Sequence, residues 1–207
     1  MWRFLVEHRS ELWAQAGVHV RLVAWALLLA VPTAVAVGVG VARRPRLAAA
    51  VLGTAGVIFT IPSLALFGLL VAPLGLGPAP AVAALAAYAL LPVLRNTVAG
   101  LSGVPADVME AARGMGMTEN QALWRVRLPL ALPVVVSGVR VAAVTAVGIA
   151  TIATLVAAGG LGDSLFAGLR AGDRDQVLAA TVLIAALAFG VDGSLALAER
   201  AFRHHAR

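Results

Sequence analysis

The chain has 207 residues, of which 61% are hydrophobic and 13% charged, with a mean hydropathy of +0.94. These values exclude an ordinary soluble domain and describe a polytopic membrane protein. The net charge is +6, with no cysteine and no lysine, which excludes disulfides, thiolate metal sites, cysteine nucleophiles and a P-loop lysine.

Residues 1–20 carry charges of alternating sign and no apolar core ahead of a small-residue cleavage site, so they are not a cleavable signal. They read as an amphipathic segment at the membrane interface, anchored by Trp2 and Trp13. Five stretches, 22–42, 47–72, 80–99, 130–157 and 177–197, are long enough to cross a hydrocarbon core of ~30 Å. The expected architecture is an all-α integral membrane protein of about five transmembrane helices.

Arginines cluster at Arg43, Arg44 and Arg46, at Arg113, Arg125 and Arg127, and at Arg200, Arg203 and Arg207. With five spans all three clusters share one side. The other side receives Arg3, Arg9, Arg170 and Arg174, with Arg21 at its edge. The positive-inside rule therefore places the N-terminus outside and the C-terminus in the cytoplasm. This distribution argues for a membrane, not for nucleic acid.

The second stretch contains Thr60-Ile61-Pro62-Ser63. Pro62 removes a helical hydrogen bond, so a kink or break is expected there. Irregular backbone at membrane depth lies against protein or a water-filled cavity, which makes Thr60, Pro62 and Ser63 candidates to line a path. Thr145, Thr151 and Thr154 are further candidate lining residues on the fourth stretch. Residues 73–80 (PLGLGPAP) are uncharged and full of turn formers, and read as a tight outer hairpin.

Between the third and fourth stretches lies a charged segment whose helices can be placed from local chemistry. Pro105 suits a first turn, and Asp107 and Glu110 favour the positive end of a helix. Val108, Ala111, Ala112 and Met115 fall on one apolar stripe. Gly114 and Gly116 let the chain leave the helix, and Thr118 with Gln121 forms a capping box that starts a second one. Pro129 and Pro133 are expected to bend the chain back into the membrane.

Within it, Glu110-Ala111-Ala112, three residues, Gly116, nine residues, Val126, one residue and Leu128-Pro129 form a pattern of seven fixed positions. This resembles the cytoplasmic loop of the membrane subunits of binding-protein-dependent ABC importers, with Val126 where that family usually has Ile. The resemblance implies a type I, methionine-importer-like permease fold. It implies that Glu110, Ala111, Ala112, Gly116, Leu128 and Pro129 carry the contact and the turn toward an ATPase subunit. ATP and Mg are then used by that partner; this chain binds no cofactor, holds no metal and is not itself an enzyme. The four histidines, His8, His19, His204 and His205, lack metal-ligand spacing, the last two reading as interfacial charge.

Arg95, Arg140 and Asp192 fall inside the predicted spans. Intramembrane charges face the bundle interior and pair. Asp192 is expected to pair with Arg140 or Arg95 and lock spans three, four and five together.

The runs TIPSLALFGLLVAPLGLG, YALLPVLRNTVAGL and EAARGMGMT through VAAGGLGD are similar to the permeases for osmoprotectants, such as glycine betaine, choline and carnitine. That likeness implies a bacterial inner-membrane importer subunit working beside a second permease copy, identical or a close paralogue. It also implies an extracytoplasmic binding protein that holds the solute. A quaternary ammonium is best held by aromatic faces, and the eleven aromatics here are scattered. Gly160, Arg170, Asp173, Arg174 and Asp175, in an outer loop at about 159–176, are candidate docking residues for that protein. The expected division is an interfacial segment at 1–20, a permease domain at 21–200 with a cytoplasmic coupling loop at about 102–129, and a cytoplasmic tail at 201–207. The competing readings are an ion-gradient-driven carrier, which would need coupling carboxylates near the midplane, and an ABC permease for another small solute.

Overall fold

The computed structural model describes residues 1–205, with side chains through Arg200. The expected tail at 201–207 thus lies outside the residues whose side chains are described. Every regular element is helical. A short α1 (Trp2–Glu7) precedes α2 (Arg9–Val41), and α3 (Pro45–Thr60) and α4 (Ser63–Leu74) follow. After α5 (Pro78–Ser102) come α6 (Ala106–Gly114), α7 (Glu119–Ala122) and α8 (Leu128–Ala150). Last are α9 (Gly162–Ala171) and α10 (Arg174–His205).

Helices α2, α5, α8 and α10 are each long and apolar enough to cross a membrane, and the bent pair α3–α4 makes a fifth span if counted as one. The first span departs from expectation. Residues 9–20 do not form a separate segment; they continue without a break into a 33-residue helix, ~50 Å long. The reason is packing: Leu12, His19, Leu22 and Val23 are all buried along one side of α2. Trp13 stays 78% exposed on the other side.

The expected break falls at Pro62. Helices α3 and α4 meet at 95°, with Ile61 and Pro62 extended between them. The carbonyl freed at Ile61 accepts a hydrogen bond from the Tyr88 hydroxyl of α5, and the Tyr88 ring packs edge-on against Phe59. A part-buried backbone acceptor is thereby satisfied, which is what lets the break persist among apolar helices.

Helix α5 is the centre of the bundle and packs against α2, α3, α4 and α8. Small residues make this possible, because without a methyl group helix backbones approach closely. A Cβ on Gly38 would stand 2.6 Å from Cγ2 of Thr97, and one on Gly138 would stand 2.9 Å from the Pro92 carbonyl oxygen. Around these seams lie two buried clusters. One gathers Phe67, Leu85, Tyr88, Val147 and Ala150; the other gathers Ala30, Ala34, Val93, Leu94 and Ala142.

The α4–α5 turn is tight, with Gly75 and Gly77 at φ 75° and 119°, and the Gly77 N–H donates to the Val156 carbonyl at 2.7 Å. Helix α8 ends in a 3-10 turn, Thr151–Val156. The supposed outer loop at 159–176 is mostly helix α9. Its first residue, Gly162, sits under the Thr151 carbonyl, which leaves no room for a Cβ there.

Candidate functional site

The segment between α5 and α8 forms a small structured unit. Helix α6 begins after Pro105, carries Asp107 in its first turn and ends at Gly114. Gly116 then takes φ 79°, a conformation that costs a residue with a Cβ about 1–2 kcal/mol. Thr118 caps α7: its side chain accepts from the Gln121 N–H at 3.3 Å, and the Gln121 side chain accepts from the Thr118 N–H at 2.9 Å. A π turn, Leu123–Arg127, joins α7 to α8. Leu128 and Pro129 open α8, and Pro133 lies within it.

The apolar faces differ from the expected stripe. Met109, Ala112 and Ala122 bury one another, with Val104, Met117 and Val126 around them. Ala112 therefore holds α6 onto α7 and presents no contact surface. Ala111 and Glu110 point outward, and Met115 is 70% exposed. One face of α6 is used within the chain, and the opposite face is left free.

Charge ties this unit together. Glu119, at the head of α7 and ahead of the apolar run that starts at Leu128, accepts from Arg113 Nε at 3.0 Å. Arg43, in the α2–α3 turn, stands 3.0 Å from the other carboxylate oxygen and donates to the Glu119 carbonyl at 3.1 Å. The hydrogen bond and charge of Arg113 hold the Glu119 carboxyl below its ordinary range.

A second charge cluster lies between α8 and α10. Arg140 forks onto Asp192, with Nε at 3.0 Å and Nη2 at 2.9 and 3.0 Å from its oxygens, and reaches Glu199 at 2.7 Å. Of the two expected partners, the aspartate meets Arg140; Arg95 is exposed and outside the cluster. Glu199 is the residue that sequence reasoning missed. It follows Asp192 by seven residues, two turns along the same face of α10, and that spacing was the available signal. Arg140, Asp192, Thr145, Ser137 and Phe189 line an open groove of about 630 Å³.

The remaining candidates scatter. Thr60 donates back to the Val57 carbonyl at 2.7 Å. Pro62 is exposed and Ser63 half-buried at the break, away from the α8–α10 groove that takes Thr145. Thr151 is buried, and Thr154, half-buried, donates to the Asp163 carboxylate within the chain. Gly160 is buried against His19. Asp173 caps α10, accepting from the N–H groups of Asp175 and Gln176, and Asp175 pairs with the N-terminal amine at 2.6 Å. Arg170 and Arg174 remain exposed. No cluster of three candidate metal ligands occurs among the described residues.

Residues 30–204 match the family described as "Binding-protein-dependent transport system inner membrane component". The chain belongs to this family. It is a multi-pass inner-membrane permease, and ATP hydrolysis belongs to a separate ATPase subunit of such systems. The permease is 36% identical to the "Glycine betaine/carnitine/choline transport system permease protein OpuCB" of Bacillus subtilis, over 97% of this chain and 92% of that one. It is 40% identical to the "Osmoprotectant import permease protein OsmW" of Salmonella typhimurium, over 91% and 90%. Among solved structures, an inward-facing MetNI methionine ABC transporter chain aligns with a TM-score of 0.75 at 23% identity, over 92% of this chain and 94% of that one. An amino acid ABC transporter chain aligns with a TM-score of 0.78 at 17% identity, over 95% and 96%. These two likenesses establish the fold, a methionine-importer-like helical permease.

Proposed function

We propose that the permease imports a quaternary-amine osmoprotectant, such as glycine betaine, choline or carnitine, as one of two permease copies around a central path. The names of the curated relatives support the solute class. In this reading the free face of α6, with Glu110 and Ala111, and the neighbouring Met115 dock on the ATPase subunit, and Gly116 makes the turn behind it. The observation that carries the reading is the division of this unit: Met109 and Ala112 of α6 are buried inward, while Met115, just past its end, stands 70% exposed. An exposed apolar face on a small structured unit is an interface in waiting.

Leu128 and Pro129 lead from that unit into α8, so closure of the ATPase subunits would press on the helix that lines the Thr145 groove. The basic clusters put this end in the cytoplasm, with the N-terminus outside. Arg170 and Arg174 are the docking charges left free for the binding protein, and solute specificity resides chiefly in that protein. The Arg140–Asp192 pair, joined by Glu199, acts as a lock between α8 and α10.

The test is reconstitution with the partner ATPase subunit and a binding protein loaded with glycine betaine. ATP hydrolysis stimulated by the loaded protein, and lost on Glu110→Ala or Gly116→Val, is the expected result. A coupled complex that ignores quaternary amines would remove the solute assignment. An ATPase subunit that never associates would remove the docking assignment.

A further inference from the structure

Apart from the covalent chain, the α6–α7 unit is joined to the α2–α3 turn by charge at Arg43. The Arg43 guanidinium reaches both the carboxylate and the backbone carbonyl of Glu119, at 3.0 and 3.1 Å. The same carboxylate holds Arg113, in the last turn of α6, at 3.0 Å. One acid thus links α6, the head of α7 and the turn that opens α3. Helix α3 runs from that turn directly to the 95° break at Ile61–Pro62.

We propose that Glu119 is a positioning residue that makes α6 and the start of α3 move as one body, carrying motion of the coupling unit to the broken span α3–α4. The inference rests on the docking role proposed for α6. Two routes then leave the ATPase contact: one through α8, which is covalently continuous with the unit, and one through Glu119 and Arg43 to α3. The second route is ionic and bridges residues 76 positions apart. Exposed ion pairs add little to stability, so removing this one changes where α6 stands relative to α3 and leaves the bundle folded. Both contacts leave one nitrogen, Nη2 of Arg43, so they tether the α2–α3 turn to the head of α7 at a single point.

The experiment uses the full importer complex in lipid, with spin labels on Asp107→Cys in α6 and Arg46→Cys in α3 of this naturally cysteine-free chain. The intrachain distance is read without nucleotide and with a non-hydrolysable ATP analogue. The unsubstituted pair is expected to keep one sharp distance in both states. With Glu119→Gln or Arg43→Gln the distance is expected to broaden or shift when the analogue binds, and the double variant is expected to do no worse than the single ones, since both remove one contact. A single unchanged distance in both variants overturns the proposal. So does a distance that changes with nucleotide while Glu119 and Arg43 are intact. Arg43→Gln leaves the coupling unit's own residues untouched and keeps the test decisive if Glu119→Gln misfolds. Co-purification of the ATPase subunit is scored separately: its absence from the unsubstituted permease would defeat the docking role, and the clamp with it.

Discussion

Replacing Gly138 by alanine puts a methyl group 2.6 Å from Cβ of Asn96, 2.9 Å from the Pro92 carbonyl oxygen and 3.0 Å from Cγ of Asn96. Two of these atoms cannot swing away, because one is backbone and one is the first atom of a side chain. Helices α5 and α8 must therefore separate by several tenths of an ångström along their shared seam. Overpacking of this kind costs about 1–3 kcal/mol, and the better helix propensity of alanine returns about 0.5–1 kcal/mol. The net loss, up to about 2.5 kcal/mol, lowers the melting temperature by up to about 10 °C for a chain of this size, whereas Gly148→Ala keeps the propensity gain alone. Gly148→Ala is the control: it sits on the same helix with no atom within 4 Å of the added methyl. Thermal unfolding of the two purified variants in detergent checks the difference. Equal stability of Gly138→Ala and Gly148→Ala would refute close α5–α8 packing as the organising contact of the bundle.

Asp192→Asn lowers the melting temperature less than Asp192→Asn with Glu199→Gln, because Arg140 keeps its 2.7 Å contact with Glu199 in the single variant; the same unfolding assay compares them. Met115→Glu places a charge on the exposed residue just past α6 and reduces ATPase-subunit retention in a pull-down by roughly tenfold or more, while the permease alone melts as before. With single cysteines, a membrane-impermeant maleimide labels Thr145→Cys in the open groove and spares Thr151→Cys and Thr154→Cys, at positions that are buried or half-buried within the chain.

Features set within a few residues of chain are legible in the amino-acid order. Pro62 removes a helical hydrogen bond and so marks where a kink or break is expected, but Pro32, Pro92 and Pro133 stand inside continuous helices, and the Tyr88 bond from α5 to the Ile61 carbonyl is what sets this site apart. The capping box of Thr118 and Gln121 closes over three residues, and Gly116 alone can take the positive φ that ends α6 cheaply. Span existence follows from the length of the apolar runs. Which face of a helix is buried is a different matter. Val108, Ala111, Ala112 and Met115 share a side by helical spacing, yet Met109 and Ala112 are the pair that packs, because α7 arrives from one direction only.

Charge pairing divides the same way. Sequence placed Arg140, Arg95 and Asp192 in the membrane and demanded that the acid find a cation. Only the packing of α8 on α10 brought together Arg140 and Asp192, 52 residues apart, and added Glu199. Likewise, residues 9–20 look interfacial by their charges, while burial of Leu12 and His19 draws them into the first span. Amino-acid order by itself determined an all-helical membrane chain and the two short helices between α5 and α8, because turns, caps and apolar length are local. Tertiary structure alone decided which faces meet and which charges pair, because those depend on helices distant in sequence arriving side by side.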